Sequence, residues 1–311
     1  MRVTLGRPLA ADTLAISVAF LDVDVAEWLS TFPFAFEPHD NPDRSLDAAM
    51  NGDYAIKVDG RFAGLVIASP EFGCWIDPKY YGGGIATRAA TMALSRHFAG
   101  GADIAYARCA VANRQMCRLL DRLGFEQDDE LAQGEQGLAV ARLTRRSLGN
   151  AQPFHIQTAR FDIRGIHDRD IDSLYDFASK REILNMQCPY GSKGMSLADF
   201  RECVFPFEGT PPFSASIRIS GRNVGLLGIG AGQHAEIVFC IAPEVWGLGV
   251  ASEAVSLFAD EVIDRFGLES LWGDVLVKNA GAIRVLERAG FARESSVALD
   301  AGPGFRYRLM K

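Results

Sequence analysis

Strand-like and helix-like patterns of apolar residues alternate along the chain, in an order that occurs twice. In the first half, two apolar runs flank Asp59-Gly60, a pair that favours a tight hairpin turn. Further along, Ile85, Ala89 and Met92 are spaced as on one face of a helix. The pattern predicts strands at residues 2–9, 54–58, 62–67, 72–76, 104–111 and 138–144, and helices within 12–28, from 85 onward, and from 116 to a terminating Gly124.

The second half repeats this order. A turn at Gly221-Arg222-Asn223 separates two apolar runs, as Asp59-Gly60 does in the first half. The pattern predicts strands at 159–166, 217–220, 224–229, 236–241 and 271–277, helices at 170–180, 250–266 and 282–289, and an irregular segment at 188–212.

Individual residues repeat along with the pattern. The recurring anchors are Glu71, Pro78 and Gly84, found again 165 residues later as Glu236, Pro243 and Gly249, and Asn113 and Phe125, found again 166 residues later as Asn279 and Phe291. A solenoid repeat would span roughly 20–50 residues, so this period indicates two copies of a whole domain. The turn-rich segment 147–153 (SLGNAQP) predicts the joint. We therefore expect two domains at 1–148 and 154–311, each α/β (α+β) with a mixed, mostly antiparallel sheet flanked by helices around a central strand–glycine loop–helix unit.

Composition narrows the possible partners. The chain has 311 residues, of which 48% are hydrophobic and 23% charged, and a net charge of -7. Such a balance argues against nucleic acid or an anionic membrane as the partner. The beginning of the chain lacks a signal-peptide pattern, and no apolar run approaches the roughly 20 residues of a membrane span, so we expect a cytoplasmic protein. The six cysteines and five histidines show no metal-ligand spacing, so we expect no metal.

Two glycine-rich loops are the main candidates for binding a ligand. Residues 81–86 (YGGGIA) and 246–251 (WGLGVA) each separate a predicted strand from a predicted helix. Small residues there let backbone N–H groups approach an anion at a helix N-terminus, which suits a pyrophosphate; a tight turn without a ligand is the alternative. A dinucleotide fold would require a third glycine where Thr87 and Ser252 stand, and a phosphate-binding P-loop would require Gly-Lys-Ser/Thr, so both are disfavoured.

Both loops resemble motif A of the GNAT (Gcn5-related N-acetyltransferase) superfamily, Gln/Arg-x-x-Gly-x-Gly/Ala. The matching residues are Gly84, Ala86, Gly249 and Ala251, whereas Tyr81 and Trp246 replace the Gln/Arg. The Trp-Gly-x-Gly loop followed by Ser252-Glu253-Ala254, and the segments 113–125 and 279–291, are similar to the ribosomal-protein N-terminal acetyltransferase branch. The resemblance covers nearly the whole chain and is closer in the second half.

The resemblance implies acetyl-coenzyme A (acetyl-CoA) as co-substrate. Its pantetheine arm would lie between strands 72–76 and 104–111, and between 237–241 and 271–277. Asn113 and Asn279 match the family asparagine that contacts this arm, although each is also placed to cap a helix. The implied cofactor-binding residues are Tyr81, Gly82, Gly83, Gly84, Ile85, Ala86 and Asn113 in the first copy, and Trp246, Gly247, Leu248, Gly249, Val250, Ala251 and Asn279 in the second.

Glu71 and Glu236 are the candidate catalytic residues. Acetyl transfer to an amine requires that the amine lose a proton and that the thiolate leave. Each glutamate begins the strand before a glycine loop, where the resemblance implies a general base; a solvated glutamate is the alternative. The family positions for a general acid hold only apolar residues: Leu120 and Met116 in the first copy, Leu286 and Ala282 in the second.

The resemblance thus implies an N-acetyltransferase that moves an acetyl group from acetyl-CoA to a primary amine by direct attack on the thioester. The acceptor would be a small molecule or a peptide, bound near segments 31–42 and 187–212, and no nucleic acid or membrane is expected. A non-catalytic CoA-binding or scaffolding protein, built as a GNAT pseudo-dimer, is the alternative. The first copy is the candidate for a degenerate domain, because Arg88 stands where the second copy has Glu253. We expect either a monomer with an internal pseudo-dimer or a homodimer.

Overall fold

The computed structural model describes residues 1–20, 54–69, 71–132, 137–179 and 195–311. The chain divides into two compact units, Met1–Gln152 and Pro153–Lys311. Each unit is a sheet flanked by helices, as the sequence predicts. Three predicted regions fall at least partly outside the described residues: the helical pattern at 21–28, the acceptor segment 31–42 and the beginning of segment 187–212.

The N-terminal unit is built on a seven-stranded sheet of order β1-β2-β3-β4-β5-β7-β6. All neighbouring strands are antiparallel except β4 and β5. Its elements are β1 Val3–Gly6, α1 Thr13–Phe20, β2 Tyr54–Val58, β3 Arg61–Ile67, β4 Glu71–Ile76, α2 Ile85–Ala99, β5 Ile104–Ala110, α3 Arg114–Leu123, β6 Glu126–Gln127, β7 Leu138–Thr144 and α4 Arg145–Ala151.

The C-terminal unit has an eight-stranded sheet of order β14-β15-β13-β12-β11-β10-β9-β8. Again one neighbouring pair, β12 and β13, is parallel and the others are antiparallel. Its elements are β8 His155–Gln157, β9 Asp162–Gly165, α5 Ile171–Ala178, α6 Leu197–Cys203, β10 Phe213–Ile219, β11 Arg222–Ile229, β12 His234–Ile241, α7 Val250–Phe266, β13 Ser270–Leu276, α8 Ala280–Arg288, β14 Ala292–Leu299 and β15 Gly302–Met310. The predicted mixed, mostly antiparallel sheet is confirmed in both units.

The parallel pairs open a cleft in the sheet. In the C-terminal unit, β12 and β13 are paired only from His234 opposite Ser270 to Glu236 opposite Trp272. Beyond these positions β12 continues beside β11, and β13 continues beside β15. The C-terminal halves of β12 and β13 therefore separate, and the glycine loop follows at the end of β12.

The long helix after each glycine loop is anchored in its own core. Val250, Ala254, Phe258 and Val262 recur every four residues along α7, and each is at most 2% exposed. Burying a side chain such as Phe258 stabilises the fold by about 1.5–3 kcal/mol. The N-terminus of α7 is thereby held at the end of the cleft. Helix α2 is anchored in the same way by Ile85, Ala89 and Ala93.

Two segments predicted to lack regular structure contain a helix each. Segment 147–153 was predicted as a turn-rich joint, but α4 occupies most of it, because the Thr144 hydroxyl accepts the Ser147 N–H at 3.1 Å and Leu148 is fully buried. Within 188–212, α6 begins at a capping box in which Ser196 and Asp199 bond each other's backbone N–H.

Strand boundaries differ where local sequence carries little signal. The strand predicted at 159–166 is interrupted by a turn between β8 and β9, in which the Thr158 hydroxyl donates to the Phe161 carbonyl at 2.8 Å. Strand β14, at the edge of the sheet, has no predicted counterpart because it is exposed along most of its length. An exposed strand shows no apolar alternation from which it could be predicted.

The aromatic residues around segment 187–212 divide between core and surface. Phe207 and Phe213 are buried, with ring centroids 4.9 Å apart, whereas Phe205 is largely exposed. Across the described residues, no helix is long and apolar enough to cross a membrane, and no group of three or more His, Cys, Asp or Glu side chains is arranged to hold a metal ion.

Candidate functional site

A cavity of about 1110 Å³ lies where β12 and β13 separate in the C-terminal unit. It is bounded by the glycine loop, the start of α8 and the turn between β14 and β15. The predicted site residues in its lining are Glu236, Trp246, Gly247, Gly249, Ala251 and Asn279. The structure therefore brings the predicted base, the glycine loop and the asparagine to one cleft.

Leu248 and Val250 are the predicted residues of this loop whose side chains point elsewhere. The Leu248 side chain is exposed, and the Val250 side chain is buried in the core beneath α7. Any contribution of Val250 to ligand binding would come from its backbone N–H.

Both glycine loops share one backbone conformation. Gly247 and Gly249 have φ angles of +76° and +79°, and Gly82 and Gly84 have +80° and +70°. A Cβ atom at any of these four positions would meet nothing within 4 Å. Glycine is therefore required by the left-handed backbone rather than by crowding.

Each loop leads directly into the N-terminus of a long helix. The Glu253 N–H makes an early intrahelical bond of α7, to the Gly249 carbonyl at 3.2 Å. The preceding amides of the first turn, from Val250 to Ser252, have no acceptor within the helix. Arg88 and Gly84 make the equivalent bond in the N-terminal unit at 3.1 Å. Free amides at the positive end of a helix dipole form an anion-binding surface.

Trp246 has a structural role at the start of the second loop. Its indole N–H donates to the Ile241 carbonyl at 2.8 Å, which ties the loop to the last residue of β12. The ring remains partly exposed and lines the cavity.

Both predicted asparagines cap helices. The Asn279 side-chain oxygen accepts the Ala282 N–H at 3.1 Å, and the Asn113 oxygen accepts the Met116 N–H at 3.0 Å. Asn279 also lines the cavity, so capping leaves its amide group at the edge of the cleft. Contact of either asparagine with a ligand stays a prediction.

Glu236 is partly buried beside an ion pair. Burial raises the pKa of its carboxyl group, the nearby Asp274 raises it further, and Arg306 lowers it. Arg306 forms two hydrogen bonds with the Asp274 carboxylate, at 2.8 and 2.7 Å, and its guanidinium lies 4.1 Å from the centre of the Trp272 ring. Asp274 also lines the cavity. A carboxylate with a raised pKa is a stronger base, and therefore better suited to accept a proton.

Glu71 has the opposite surroundings. Its carboxylate forms an ion pair with Arg108 at 2.9 Å. Arg108 occupies the position that Asp274 has in the second copy, 166 residues later. Neither Arg108 nor Asp274 is among the residues that the sequence predicts for the site. Aligning the two copies shows a positive charge at this position in the first copy and a negative charge in the second.

The walls near α8 offer no acid at the family positions. Leu286 and Ala282 both line the cavity, and neither side chain carries an exchangeable proton. Besides Asn279 and Asp274, the polar residues of the lining that lie away from Glu236 include Ser252, Lys278, Arg284, Arg288 and Asp300.

Comparison with known proteins matches both halves of the chain. Residues 2–126 and 160–292 match the sequence family described as "Acetyltransferase (GNAT) domain". An uncharacterized N-acetyltransferase from Bacillus subtilis, YoaA, is 27% identical over 150 residues, which make up 45% of this chain and 83% of the relative.

Two solved structures each match about half of the chain. Ribosomal-protein-S5-alanine acetyltransferase from Vibrio fischeri is 13% identical and matches 50% of this chain and 96% of its own, with a TM-score of 0.43. Spermidine N-acetyltransferase from Vibrio cholerae, solved with CoA and spermine, is 17% identical and matches 49% of this chain and 96% of its own, with a TM-score of 0.42.

Proposed function

The chain belongs to the GNAT acetyltransferase family, whose domain it matches twice, and from this premise we propose that it transfers an acetyl group from acetyl-CoA to a primary amine. One observation carries the proposal: a single cleft in the C-terminal unit is lined by the glycine loop, by Asn279 and by Glu236. The reaction needs a group on each side of the thioester. On the cofactor side, the helix N-terminus can bind an anion, and on the acceptor side, Glu236 is a base with a raised pKa.

The loop would hold the cofactor through its backbone. Amides of residues 247–251 would bind the pyrophosphate of acetyl-CoA, and the gap between β12 and β13 would receive the pantetheine arm. The Asn279 amide group would bond to that arm while its oxygen caps α8. Acetyl-CoA itself would supply the activated acetyl group.

Glu236 would act as the general base. It would take a proton from the acceptor ammonium, directly or through water, so that the amine nitrogen attacks the thioester carbonyl. The carbon–nitrogen bond forms, the carbon–sulfur bond breaks, and the sulfur leaves as thiolate. A backbone N–H of β12 would stabilise the oxyanion. The nitrogen loses its second proton as the intermediate collapses, and because Leu286 and Ala282 cannot donate one, water would carry this proton to the thiolate.

We assign the chemistry to the C-terminal copy. The Glu71 carboxylate is engaged by Arg108 in an ion pair at 2.9 Å. Burial and the nearby Asp274 instead raise the pKa of Glu236, which favours proton uptake there. The N-terminal copy would then be the degenerate one, although its glycine loop keeps the backbone conformation of the active copy.

The acceptor would be a small-molecule or peptide amine. The resemblance of residues 246–254 and 279–291 to the ribosomal-protein N-terminal acetyltransferase branch makes a peptide N-terminus the first acceptor to test. The proposed setting is the cytoplasm, where acetyl-CoA is available.

A non-catalytic CoA-binding role is the second candidate. It is favoured by one observation, the apolar Leu286 and Ala282 in the cavity wall where the family places a proton donor. Such a protein would bind acetyl-CoA or CoA through the glycine loop but would not convert acetyl-CoA to free CoA.

Thiol release separates the two candidates. The full chain would be incubated with acetyl-CoA and a panel of primary amines that includes peptides with free N-termini, and free CoA thiol would be measured. Amine-dependent release supports the acetyltransferase. CoA binding by calorimetry without release for any amine supports the second candidate, and a chain that does not bind CoA contradicts both.

A further inference from the structure

Arg160 joins the turn between β8 and β9 to the glycine loop of the C-terminal unit. Its guanidinium donates to the Leu248 carbonyl at 2.6 Å and to the Glu253 carboxylate at 2.8 Å. The arginine is itself fixed at its backbone, because its N–H donates to the Thr158 hydroxyl at 3.1 Å. None of these contacts is implied by the glycine-loop motif.

The bond to Leu248 sets the direction of the next amide. In a trans peptide the carbonyl oxygen of one residue and the N–H of the following residue point to opposite sides. When Arg160 holds the Leu248 oxygen, the Gly249 N–H is directed away from Arg160. Gly249 lines the cavity, so this amide belongs to the surface that would face an anion.

In the N-terminal unit, other residues contact the glycine loop at the position that Arg160 has in the C-terminal unit. Gly83 and Arg88 correspond to Leu248 and Glu253, each 165 residues earlier. Arg88 donates to the Met1 carbonyl at 3.2 Å, and a Cβ atom on Gly83 would lie 3.2 Å from the Met1 side chain. Met1 therefore lies where the C-terminal unit has Arg160, and its thioether side chain has no N–H with which to bond a loop carbonyl.

We propose that Arg160 is a positioning residue, which aims the Gly249 amide at the pyrophosphate of CoA and is itself oriented by Glu253. This inference rests on the proposed function, since it assumes that the glycine loop of the C-terminal unit binds CoA. It makes Arg160 specific to the pyrophosphate end of the cofactor and gives it no part in the transfer of the acetyl group.

The test replaces Arg160 with the residue found at this place in the other copy. Losing a charge-assisted hydrogen bond typically weakens an interaction by about 10-fold or more. Arg160→Met should therefore raise the Kd for CoA and the KM for acetyl-CoA by about 10-fold, with kcat at saturating acetyl-CoA unchanged. The Kd and KM of Arg160→Lys should lie between those of the wild type and those of Arg160→Met. Turnover of S-acetyl-pantetheine, which lacks the pyrophosphate, should be the same in all three proteins.

Two further variants separate positioning from simple charge. Arg218, on β10, also donates to a backbone carbonyl at 2.6 Å, that of Gly221, and lies outside the cavity lining, so Arg218→Met is the matched control. Glu253→Gln removes a negative charge near the loop. A purely electrostatic effect would then tighten CoA binding, whereas loss of orientation at Arg160 should weaken it.

Each result has a definite meaning. Wild-type CoA affinity in Arg160→Met, or an equal loss of affinity in Arg218→Met, would overturn the role of Arg160. Tighter CoA binding in Glu253→Gln, or a parallel loss of S-acetyl-pantetheine turnover in Arg160→Met, would do the same. All four results would leave the proposed function intact. If the wild-type chain does not bind CoA, both the role of Arg160 and the proposed function are contradicted.

Discussion

Glu71 is the first residue of β4 and Glu236 the third residue of β12, and each has a charged residue two positions beyond its partner on the neighbouring parallel strand. Burial raises the pKa of Glu236, Asp274 raises it further, and Arg306 lowers it. Arg108 instead pairs directly with Glu71. A single charge reversal between the two copies therefore separates a carboxylate suited to accept a proton from one held as half of an ion pair.

The pH dependence of turnover should report this arrangement. Asp274→Asn removes the negative charge that raises the pKa of Glu236 and leaves the Arg306 charge unbalanced, and both effects lower that pKa. The acid limb of kcat/KM should move to lower pH. Arg306→Met removes the opposing charge, so the limb should move to higher pH.

The pH profiles of the wild type and both variants would be measured with a single amine, with Glu236→Gln as the control that should lack this limb. Shifts of the same sign in Asp274→Asn and Arg306→Met would show that the limb belongs to another group.

The raised pKa of Glu236 also affects stability. A carboxyl whose pKa is higher in the folded state favours folding below its unfolded pKa, and this contribution is lost as the pH rises through the folded value. Above its folded pKa, Glu236 is therefore ionised in surroundings that disfavour the charge. Glu236→Gln should raise the melting temperature at pH 8 by a small amount, and its advantage should shrink as the pH falls toward 4, near the unfolded pKa of glutamate. Calorimetric scans of both proteins across this range would test it; a melting temperature for Glu236→Gln below that of the wild type at pH 8 would contradict it.

Among the elements, the strand–glycine loop–helix unit is the part that both copies preserve most closely. The positive φ angles recur at Gly82, Gly84, Gly247 and Gly249, and both helices begin immediately after the loop. The loop conformation is fixed by these glycines, by the buried face of the helix behind it and, in the second copy, by the Trp246 bond to Ile241.

Replacing the last glycine of each loop should abolish CoA binding. A non-glycine residue in the left-handed region costs about 1–3 kcal/mol, and a β-branched residue is especially strained. The loop of Gly249→Val should relax to another backbone conformation and turn its amides away from the ligand. We expect a loss of at least about tenfold in CoA affinity in the C-terminal copy, and no measurable binding when Gly84 is replaced as well.

Calorimetric titration with CoA checks this expectation. Gly232→Val is the matched control: Gly232 has a φ of +95° and an equally open Cβ position. It precedes β12, whereas the loop follows the end of that strand. An unchanged titration in the Gly84 and Gly249 double variant would rule out the loops as the binding site.

At the scale of the whole molecule, the duplication allows the two copies to differ in role. Each unit has its own core and its own glycine loop, so one copy can lose a catalytic group without losing its fold. The differences found between the copies, Arg108 against Asp274 and Met1 against Arg160, both favour the C-terminal unit as the working one.

Turnover should therefore depend on one glutamate of the pair. Losing a positioned base typically costs about 10²–10⁴-fold in rate, so Glu236→Gln should slow acetylation by that order and leave CoA affinity nearly unchanged. Glu71→Gln should cost less than about 3-fold, well below that catalytic range. Rates at saturating acetyl-CoA would be compared for both variants. If Glu71→Gln instead lost most of its acetylation rate, the N-terminal copy would be the active one. If neither variant lost activity, the general base would be another residue.

The sequence by itself was sufficient to predict the family, the presence of two domain copies and the strand–glycine loop–helix unit in each. These depend on local rules: the period of apolar residues predicted β2, β7 and α7 with the observed ends, and Asn113, Asn279 and Gly124 stand where helix ends require them. Composition gave the wrong prediction where packing decides the structure, as in α4, whose residues favour a turn but whose Leu148 is buried.

Only the tertiary structure decided what surrounds the predicted site residues. The pairing of Asp274 with Arg306 joins residues 32 positions apart, and the bond from Arg160 to Leu248 joins residues 88 apart. The cleft itself exists because β12 and β13 stop pairing after Glu236. Such contacts depend on how strands are ordered and registered in the sheet, and this long-range arrangement leaves no periodic signal in the residues that make it.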